Sequence, residues 1–310
     1  MSQTRYRLVT RSDFDGLVCA VLLNELDLID DILFVHPKDM QDGKIAITER
    51  DITTNLPYVP GAHLAFDHHA SETVRNTGER ANHIIDATAP SAARVVYRHY
   101  GGKAVFSRIS DEMMDAVDKA DSAQYSEEDV LNPKDWVLLN YLMDSRTGLG
   151  RFRTFRISNY QLMMDLIRYC RDHRIDQILA LPDVQERVQL FREHEAQAKA
   201  QIVRCSTVHG NLVVLDLRGE DTIWAANRFM IYALFPQANI SIHVMWGLQK
   251  QNTVLATGKS ILNRTSKTHV GELMLTYGGG GHEAAGTCQV PNDQADAVLK
   301  TLIARINQDG

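Results

Sequence analysis

The chain has 310 residues, of which 44% are hydrophobic and 23% are charged, and its formal net charge is −6. These values are ordinary for a soluble globular protein and exclude disordered, collagen-like and coiled-coil chains. The length favours two domains. The acidic balance argues against binding of duplex DNA, which needs a basic surface, but it permits a small site in which metal ions supply the positive charge.

No apolar segment approaches the roughly 18 residues of a membrane-spanning helix. The first residues, MSQTRYRLVT, lack the apolar centre of a signal peptide, so we expect a cytoplasmic protein without a membrane partner. The four cysteines, Cys19, Cys170, Cys205 and Cys288, are far apart and form no CxxC pair. This pattern predicts reduced, mostly packed thiols instead of a zinc site or a disulfide framework.

In the first half of the chain, short apolar runs alternate with segments of helical apolar spacing. The predicted strands lie at 6–10, 32–35, 44–47 and 63–66. The predicted helices lie at 17–26, 90–100, 107–123, 133–144 and 158–173. Strands interleaved with helices predict a mostly parallel sheet covered on both faces, with ligand-binding residues where strands end and helices begin.

A long charged segment without glycine or proline predicts a linker helix at 186–205. Beyond it the pattern restarts, with strands at 212–217, 240–246 and 253–259 and helices at 223–235 and 270–277. A glycine run, a further strand and a C-terminal helix complete this second block. We therefore predict an α/β catalytic domain at 1–185 and a smaller α/β domain at 206–310.

Acidic and imidazole side chains stand directly after two of the predicted strands. The sequence SDFDG places Asp13 and Asp15 two residues apart, before a glycine that permits a tight turn. Clustered carboxylates bind hard divalent cations, although an acidic turn that caps a helix is the alternative. Asp67, His68 and His69 follow another strand, where an imidazole ligand suits Mn²⁺, Co²⁺ or Fe²⁺ better than Mg²⁺.

Two further acids stand at comparable positions in the pattern. Asp51 follows the predicted strand at 44–47, and Asp121 lies on a predicted helix. Asp118 precedes Asp121 by one helical turn and shares a similar face. We interpret Asp118 as a solvated helix acid in preference to a ligand.

The segment YGGGGHEAAG, at 277–286, is the third motif. Four consecutive glycines expose backbone N–H groups that can bind an anion, and His282 is placed to donate a hydrogen bond to it. The alternative is a flexible hairpin. The segment matches neither the phosphate loop GxxxxGK[ST] nor the dinucleotide-binding GxGxxG.

Together these motifs resemble the DHH phosphoesterase superfamily, which includes RecJ-type exonucleases, oligoribonuclease/pAp phosphatases, cyclic-di-AMP phosphodiesterases and exopolyphosphatase-like proteins. The sequence DHH at 67–69 is the motif that names the family, and DFDG at 13–16 is similar to its first motif. Asp51 and Asp121 fall where the second and fourth motif aspartates are expected. GGGGHEAAG is similar to the signature of the DHH-associated C-terminal domain, so the resemblance spans nearly the whole chain.

The resemblance implies a phosphoesterase that hydrolyses phosphodiester or terminal phosphate bonds in short nucleotides, such as nanoRNA, pAp or cyclic dinucleotides. It implies two divalent cations, Mn²⁺ in preference to Mg²⁺ or Co²⁺, which polarise the phosphoryl oxygens and activate a water. The implied metal ligands are Asp13, Asp15, Asp51, His68 and Asp121. The implied catalytic residues are His69, as a general acid, and Asp67 beside it. The implied substrate-binding residues are Arg264, Gly279, Gly280, Gly281 and His282.

One departure from the family concerns the strand before the first aspartates. Many members that act on small substrates carry a histidine there as a metal ligand, whereas this chain has Thr10, Arg11 and Ser12. RecJ-type members also lack that histidine. We therefore expect a dimetal site in which one cation is bound weakly.

A basic stretch, RTGLGRFRTFR, contains Arg146, Arg151, Arg153 and Arg156. It is either a track for a single-stranded substrate, through stacking and charge, or a solvated loop, which we favour. The expected partner is a short nucleotide or another phosphate polyanion. A nucleotide-binding protein with little turnover and an exopolyphosphatase-like hydrolase remain alternatives, and the oligomeric state is open, with a homodimer as one alternative.

Overall fold

A computed structural model describes residues 4–69, 78, 80–152 and 154–310. The chain forms two compact units, each described below by itself. The first unit consists of Met1–Gln124, Lys134–Ser145 and Leu149–Gln189. The second unit consists of Tyr125–Pro133, Arg146–Gly148 and Leu190–Gly310, so it includes two short segments that lie before the predicted domain boundary.

Eleven strands lie within the described residues: β1 (Tyr6–Arg11), β2 (Ile29–Val35), β3 (Asp51–Thr54), β4 (Leu64–Asp67), β5 (His83–Ile85), β6 (Ser206–His209), β7 (Leu212–Asp216), β8 (Ile240–Trp246), β9 (Thr253–Lys259), β10 (Gly280–Gly281) and β11 (Ala285–Val290). The α-helices there are α1 (Phe14–Glu25), α2 (Pro37–Gln41), α3 (Ala92–His99), α4 (Asp111–Asp121), α5 (Glu127–Leu131), α6 (Asp135–Met143), α7 (Asn159–Asp172), α8 (Ile175–Leu179), α9 (Pro182–Arg204), α10 (Met230–Leu234), α11 (Val270–Leu275) and α12 (Ala295–Asp309).

The first unit contains a five-stranded sheet in the order β2–β1–β3–β4–β5. All neighbouring strands pair in parallel. The carboxyl ends of the strands therefore meet at one edge of the sheet, which is where ligands bind in open α/β sheets. α1 packs against α3, α4 and α7, so a layer of helices covers the strands next to that edge.

α1 is buried along most of its length because its sequence, FDGLVCAVLLNE, is mainly apolar. Asp13 caps the first turn by accepting a hydrogen bond from the N–H of Gly16, and Asp15 places a negative charge where the helix dipole favours one. Gly16 is required because a Cβ atom there would lie 2.0 Å from the carbonyl oxygen of Arg11. Burial contributes about 1.5–3 kcal/mol for each large apolar side chain, so residues 17–23 anchor the turn that carries both aspartates.

The predicted strand at 44–47 is wrong, because these residues form no strand. Ile45 and Ile47 pack, partly buried, against an apolar cluster that includes Val9 and Leu56. Their apolar character therefore reflects packing without strand pairing. The strand that pairs between β1 and β4 is β3, and all of its residues are buried.

The predicted helix at 223–235 is also too long, since only α10 is helical in that range. Asn227 is buried, and its amide nitrogen donates a hydrogen bond to the carbonyl oxygen of Val130 at 2.8 Å. Its amide oxygen accepts from the N–H of Phe229 at 3.0 Å. Bonds between a side chain and the backbone compete with helical ones, which accounts for the late start of the helix. The other predicted elements are present, with ends that differ by a few residues.

The second unit contains a six-stranded sheet in the order β10–β11–β9–β8–β7–β6. β7 and β8 pair in parallel, and the other neighbours pair antiparallel. One face of the sheet forms an apolar core with α11 and α12, which includes Leu212, Ile240, Ile242, Val244, Leu255, Val270, Met274, Leu302 and Ile306. The predicted α/β class is therefore confirmed, with a parallel sheet in the first unit, and α9 contributes residues to both units.

Cys19, Cys170 and Cys288 are buried, as the sequence predicted, and all four cysteines are free thiols. Across the described ranges, no helix combines the length and the apolar character needed to cross a membrane. The cytoplasmic location stays a prediction.

Candidate metal centre and active site

Three predicted ligands come together at the carboxyl edge of the parallel sheet. Asp15 lies in the first turn of α1, His68 follows β4, and Asp121 ends α4. One ligand atom from each residue lies within 4.8 Å of the others. Two carboxylates and an imidazole form a mixed oxygen and nitrogen donor set, which suits a first-row divalent cation.

Asp15 is the most enclosed member of this cluster, with 2% of its surface exposed. Its two oxygens accept hydrogen bonds from the N–H groups of Ala92 at 3.0 Å and Ala93 at 2.7 Å, which lie in the first turn of α3. Burial and the charge of Asp121 raise the pKa of Asp15 well above its usual value, although His68 opposes the shift. A bound cation favours the charged carboxylate that burial alone disfavours.

His68 is oriented by its other ring nitrogen. Nδ1 lies 3.2 Å from the carbonyl oxygen of Ala89, and because a carbonyl only accepts, Nδ1 carries the proton. In the neutral ring Nε2 is then free to bind a metal, as in many histidine ligands whose second nitrogen is held by a partner. Nε2 is buried and lies 2.8 Å from Oδ2 of Asp121, but without the alignment of a hydrogen bond.

When no cation is present, the charges around the cluster favour an ion pair between His68 and Asp121. Burial opposes the charged ring of His68, but the carboxylates of Asp121, Asp15 and Asp67 outweigh it and raise its pKa to about 9. Burial also opposes ionisation of Asp121, yet His68, His69 and Arg11 lower its pKa. The residues therefore fit a divalent cation, which would replace the His68 proton as the partner of the two carboxylates.

Asp67 and His69 form a second pair beside the cluster. Oδ1 of Asp67 lies 2.7 Å from Nδ1 of His69 and also accepts hydrogen bonds from the N–H groups of His68 and His69. Oδ2 of Asp67 is buried and accepts no hydrogen bond within the described residues. The His69 ring keeps 28% exposure, so Asp67 orients a ring that solvent can reach.

Asp13 lies at the same edge of the sheet, but its carboxylate contacts other residues of the first unit instead of the three clustered side chains. Oδ1 accepts hydrogen bonds from the N–H of Gly16 at 3.0 Å and from the amide of Asn55 at 3.2 Å. Oδ2 lies 2.9 Å from Nε of Arg11. Asp13 therefore adjoins the cluster without joining it.

The expectation that Asp51 is a metal ligand is wrong. Asp51 begins β3 and pairs in register with Arg7, at the amino ends of the strands. Its Oδ1 lies 2.7 Å from Nε of Arg7, and its Oδ2 accepts hydrogen bonds from Thr48. The error follows from the wrong strand at 44–47, because the residue at the carboxyl end of β3 is Asn55.

The interpretation of Asp118 as a solvated acid is also wrong. Its side chain accepts a hydrogen bond from the hydroxyl of Ser91 at 2.7 Å and from Nε of Arg94 at 2.7 Å. Ser91 caps α3, the helix whose first N–H groups hold Asp15. Asp118 therefore fixes the helix end on which a candidate ligand depends.

In the second unit, the glycine run forms the edge strand β10 and a tight hairpin with β11. The N–H of Gly279 donates to the carbonyl oxygen of Met274, and that of His282 donates to Ala285. Gly279 has no room for a side chain, since a Cβ atom would lie 2.2 Å from the carbonyl oxygen of Thr287. The expectation that these amides are available to bind an anion is therefore wrong at Gly279 and His282, whose amides donate hydrogen bonds within the unit.

Among the other predicted substrate-binding residues, Gly280 and Gly281 pair with β11. The side chains of Arg264 and His282 are exposed. In the basic stretch, Nε of Arg156 donates to Asp183 at 3.0 Å, so that arginine is neutralised within the protein. Arg153 lies outside the described residues.

Two residues near the cluster, Asn55 and Ser91, were not predicted from the sequence, although each had a signal there. Asn55 ends the run ITTN, whose β-branched residues are typical of a strand. Ser91 precedes a helical segment and is a favoured N-cap residue. Neither signal showed which carboxylate lies nearby, because that depends on how distant segments pack.

Comparison with known proteins gives matches among solved structures. No family model and no curated protein matches the sequence. Among solved structures, the pGpG-specific phosphodiesterase PggH from Vibrio cholerae is 64% identical, with a TM-score of 0.86, over 99% of this chain and 100% of that one.

Two structures of RecJ from Thermus thermophilus, in complex with Mn²⁺ and with Mg²⁺, match at 13% and 12% identity. Their TM-scores are 0.53 and 0.52, over 98% of this chain and 52% and 50% of RecJ. At this identity the RecJ matches support the fold alone. The full-length match to a phosphodiesterase at 64% identity establishes the family: this chain belongs to the DHH superfamily and is a divalent-metal-dependent phosphoesterase, a hydrolase of phosphoester bonds.

Proposed function

We propose that this chain cleaves short linear dinucleotides that carry a 5′-phosphate, with pGpG as its main substrate. The observation that carries the proposal is the 64% identity, over 99% of the chain, to a phosphodiesterase that is pGpG-specific. Hydrolysis breaks the bond between phosphorus and the 3′-oxygen. The oxygen of water joins phosphorus, the leaving 3′-oxygen takes a proton, and pGpG yields two molecules of GMP.

Asp15, His68 and Asp121 would hold the divalent cation. Their ligand atoms lie within 4.8 Å of one another, and the ring of His68 is oriented by Ala89. The imidazole favours Mn²⁺ over Mg²⁺, which prefers oxygen ligands and water. When bound, such a cation supplies a Lewis acid for the phosphoryl oxygens and makes water a stronger nucleophile near neutral pH.

His69 would give the proton to the leaving 3′-oxygen. Its Nδ1 lies 2.7 Å from Oδ1 of Asp67, which fixes the orientation of the ring. A positioned general acid contributes about 10²–10⁴-fold to the rate. Asp67 acts through His69 and is therefore a positioning residue.

Arg264 and His282 are the proposed contacts for the terminal phosphate of the dinucleotide. Both side chains are exposed, and a guanidinium binds phosphate oxygens in a bidentate way. Since the amides of Gly279 and His282 are bonded within the unit, binding here would depend on side chains. Arg264→Ala is expected to raise KM for pGpG more than it lowers kcat.

A substrate panel tests the proposed specificity. The metal-loaded chain is assayed with equal concentrations of pGpG, pApA, pAp, cyclic dinucleotides, pyrophosphate and polyphosphate. We expect kcat/KM for pGpG to exceed that for pApA at least about 10-fold, because a site built to bond the guanine edge leaves polar groups unpaired with adenine. Faster cleavage of pAp or polyphosphate than of pGpG would contradict the proposal.

A further inference from the structure

The position next to the cluster, where a second cation is expected, is short of ligands. Within the described ranges, Asp15, His68 and Asp121 form the group whose ligand atoms come together. The carboxyl end of β3 carries Asn55, a neutral amide, in place of the carboxylate that was expected from Asp51. A site with fewer carboxylates attracts a divalent cation less strongly.

Asp13, the other carboxylate of the DFDG turn, already has at least three partners. They include the N–H of Gly16, the amide of Asn55 and the guanidinium of Arg11. An ionised carboxylate has about four positions that accept hydrogen bonds. Asp13 therefore holds the guanidinium of Arg11 in place. That guanidinium already supplies a positive charge beside the carboxylate.

Arg11 is well placed to meet a phosphate. It ends β1, so it lies at the carboxyl edge of the sheet together with the cluster. Its Nε lies 2.9 Å from Oδ2 of Asp13, and its two terminal nitrogens donate no hydrogen bond to any described residue. The side chain keeps 35% exposure. A planar guanidinium with free donors matches two oxygens of a phosphate.

We propose that Arg11 takes the place of a second metal ion in this enzyme. With one divalent cation at Asp15, His68 and Asp121, the guanidinium binds the non-bridging oxygens of the scissile phosphate and stabilises the charge that develops there during cleavage. Asp13 and Asn55 act as positioning residues for Arg11. The inference rests on the proposed cation site and goes beyond it by assigning a substrate-binding role to Arg11.

The first test counts the cations without any turnover. The metal-free chain is equilibrated with Mn²⁺ in the absence of substrate, and the bound metal is measured by calorimetry and by elemental analysis. We expect one Mn²⁺ per chain, and the same count in Arg11→Ala. Two tightly bound cations per wild-type chain would overturn the proposal.

The second test measures cleavage of bis-p-nitrophenyl phosphate and of pGpG by Arg11→Ala, Arg11→Lys and Arg5→Ala. Arg5 lies just before β1, is exposed and pairs with Asp27, so its removal changes the net charge equally. We expect Arg11→Ala to lower kcat about 10²–10³-fold, with an intermediate loss in Arg11→Lys, which keeps the charge without the planar fork. Millimolar guanidinium should restore part of the activity of Arg11→Ala.

The outcomes separate this inference from the proposed substrate. If the wild-type chain cleaves bis-p-nitrophenyl phosphate but not pGpG, the substrate proposal fails, while the Arg11 variants still test the inference on the simple diester. Activity of Arg11→Ala within about twofold of Arg5→Ala would overturn the role of Arg11. So would a loss of bound Mn²⁺ that fully accounts for the lower rate.

Discussion

At the proposed cation site, a proton and a divalent cation would compete for Nε2 of His68. Its Nε2 faces Asp15 and Asp121, while Nδ1 is held by the carbonyl oxygen of Ala89. Burial opposes the charged ring, but the carboxylates, with Asp121 foremost, raise its pKa to about 9. In the metal-free chain near neutral pH, the ring is therefore protonated, and a cation must displace that proton.

This competition predicts how the affinity for Mn²⁺ depends on pH. The ring binds metal in its neutral form, so the apparent affinity should rise about tenfold per pH unit from about pH 6 to 8 and level off above the pKa of about 9. Calorimetric titration in two buffers with different ionisation enthalpies measures both the affinity and the protons released. Equal affinities at about pH 6 and 8, without proton release, would contradict the assignment of His68 as a ligand.

At the scale of elements, the candidate site depends on one helix end as much as on its ligands. Ser91 is fully buried, caps α3 and donates to Asp118, while the first N–H groups of α3 hold both oxygens of Asp15. Asp121 lies one turn after Asp118 on α4. The packing of α3 against α4 thus sets the position of two ligands at once.

Ser91→Ala is expected to lower the free energy of unfolding by about 1–2 kcal/mol through loss of the cap. It should also weaken Mn²⁺ binding, because the amides that hold Asp15 lose their fixed orientation. Urea unfolding and calorimetric titration measure the two effects. Ser126→Ala is the matched control, since Ser126 caps α5 in a similar way but is exposed. Equal Mn²⁺ affinity in the two variants would show that the end of α3 does not support the site.

Sequence patterns and the family resemblance singled out Asp15, His68 and Asp121, and the structure brings these three residues together. They failed for Asp51 and Asn55, since the choice between the segments 44–47 and 51–54 depends on which one pairs with β1. Both segments are short and contain β-branched residues, so periodicity alone could not separate them. Strand pairing depends on tertiary contacts. Because the segment 51–54 pairs with β1, Asp51 lies at the edge of the sheet opposite the cluster.

At the scale of the whole molecule, the α/β class followed from the order of predicted strands and helices. The short segments Tyr125–Pro133 and Arg146–Gly148 belong to the second compact unit, although they precede α9 in the chain. Their assignment depends on contacts such as the hydrogen bond from Asn227 to Val130. Contacts between residues so far apart in sequence leave no local pattern.

Binding of a cation to the folded chain should raise its thermal stability. A ligand present at about 100 times its dissociation constant, and bound only by the folded state, adds about 2.7 kcal/mol. Differential scanning calorimetry should therefore show a higher Tm with Mn²⁺ in the wild-type chain and no change in His68→Ala. An equal rise in both chains would mean that the cation binds elsewhere.

The central claim is that a cation held by Asp15, His68 and Asp121 drives phosphodiester cleavage. The most direct test follows GMP release from pGpG while Mn²⁺ is titrated into the metal-free wild-type, His68→Ala and His173→Ala chains. His173 is exposed, follows α7 and is distant in sequence from the three proposed ligands. His173→Ala is therefore the control for the loss of a histidine.

Removal of a residue that hydrogen-bonds to a metal ligand already lowers metal affinity or activity about 10–100-fold. We therefore expect cleavage by His68→Ala to stay at least about 10²-fold below that of the wild-type chain at saturating Mn²⁺, while His173→Ala matches the wild type. Cleavage by His68→Ala within about twofold of the wild-type rate, or full wild-type cleavage in the presence of a chelator, would contradict the claim.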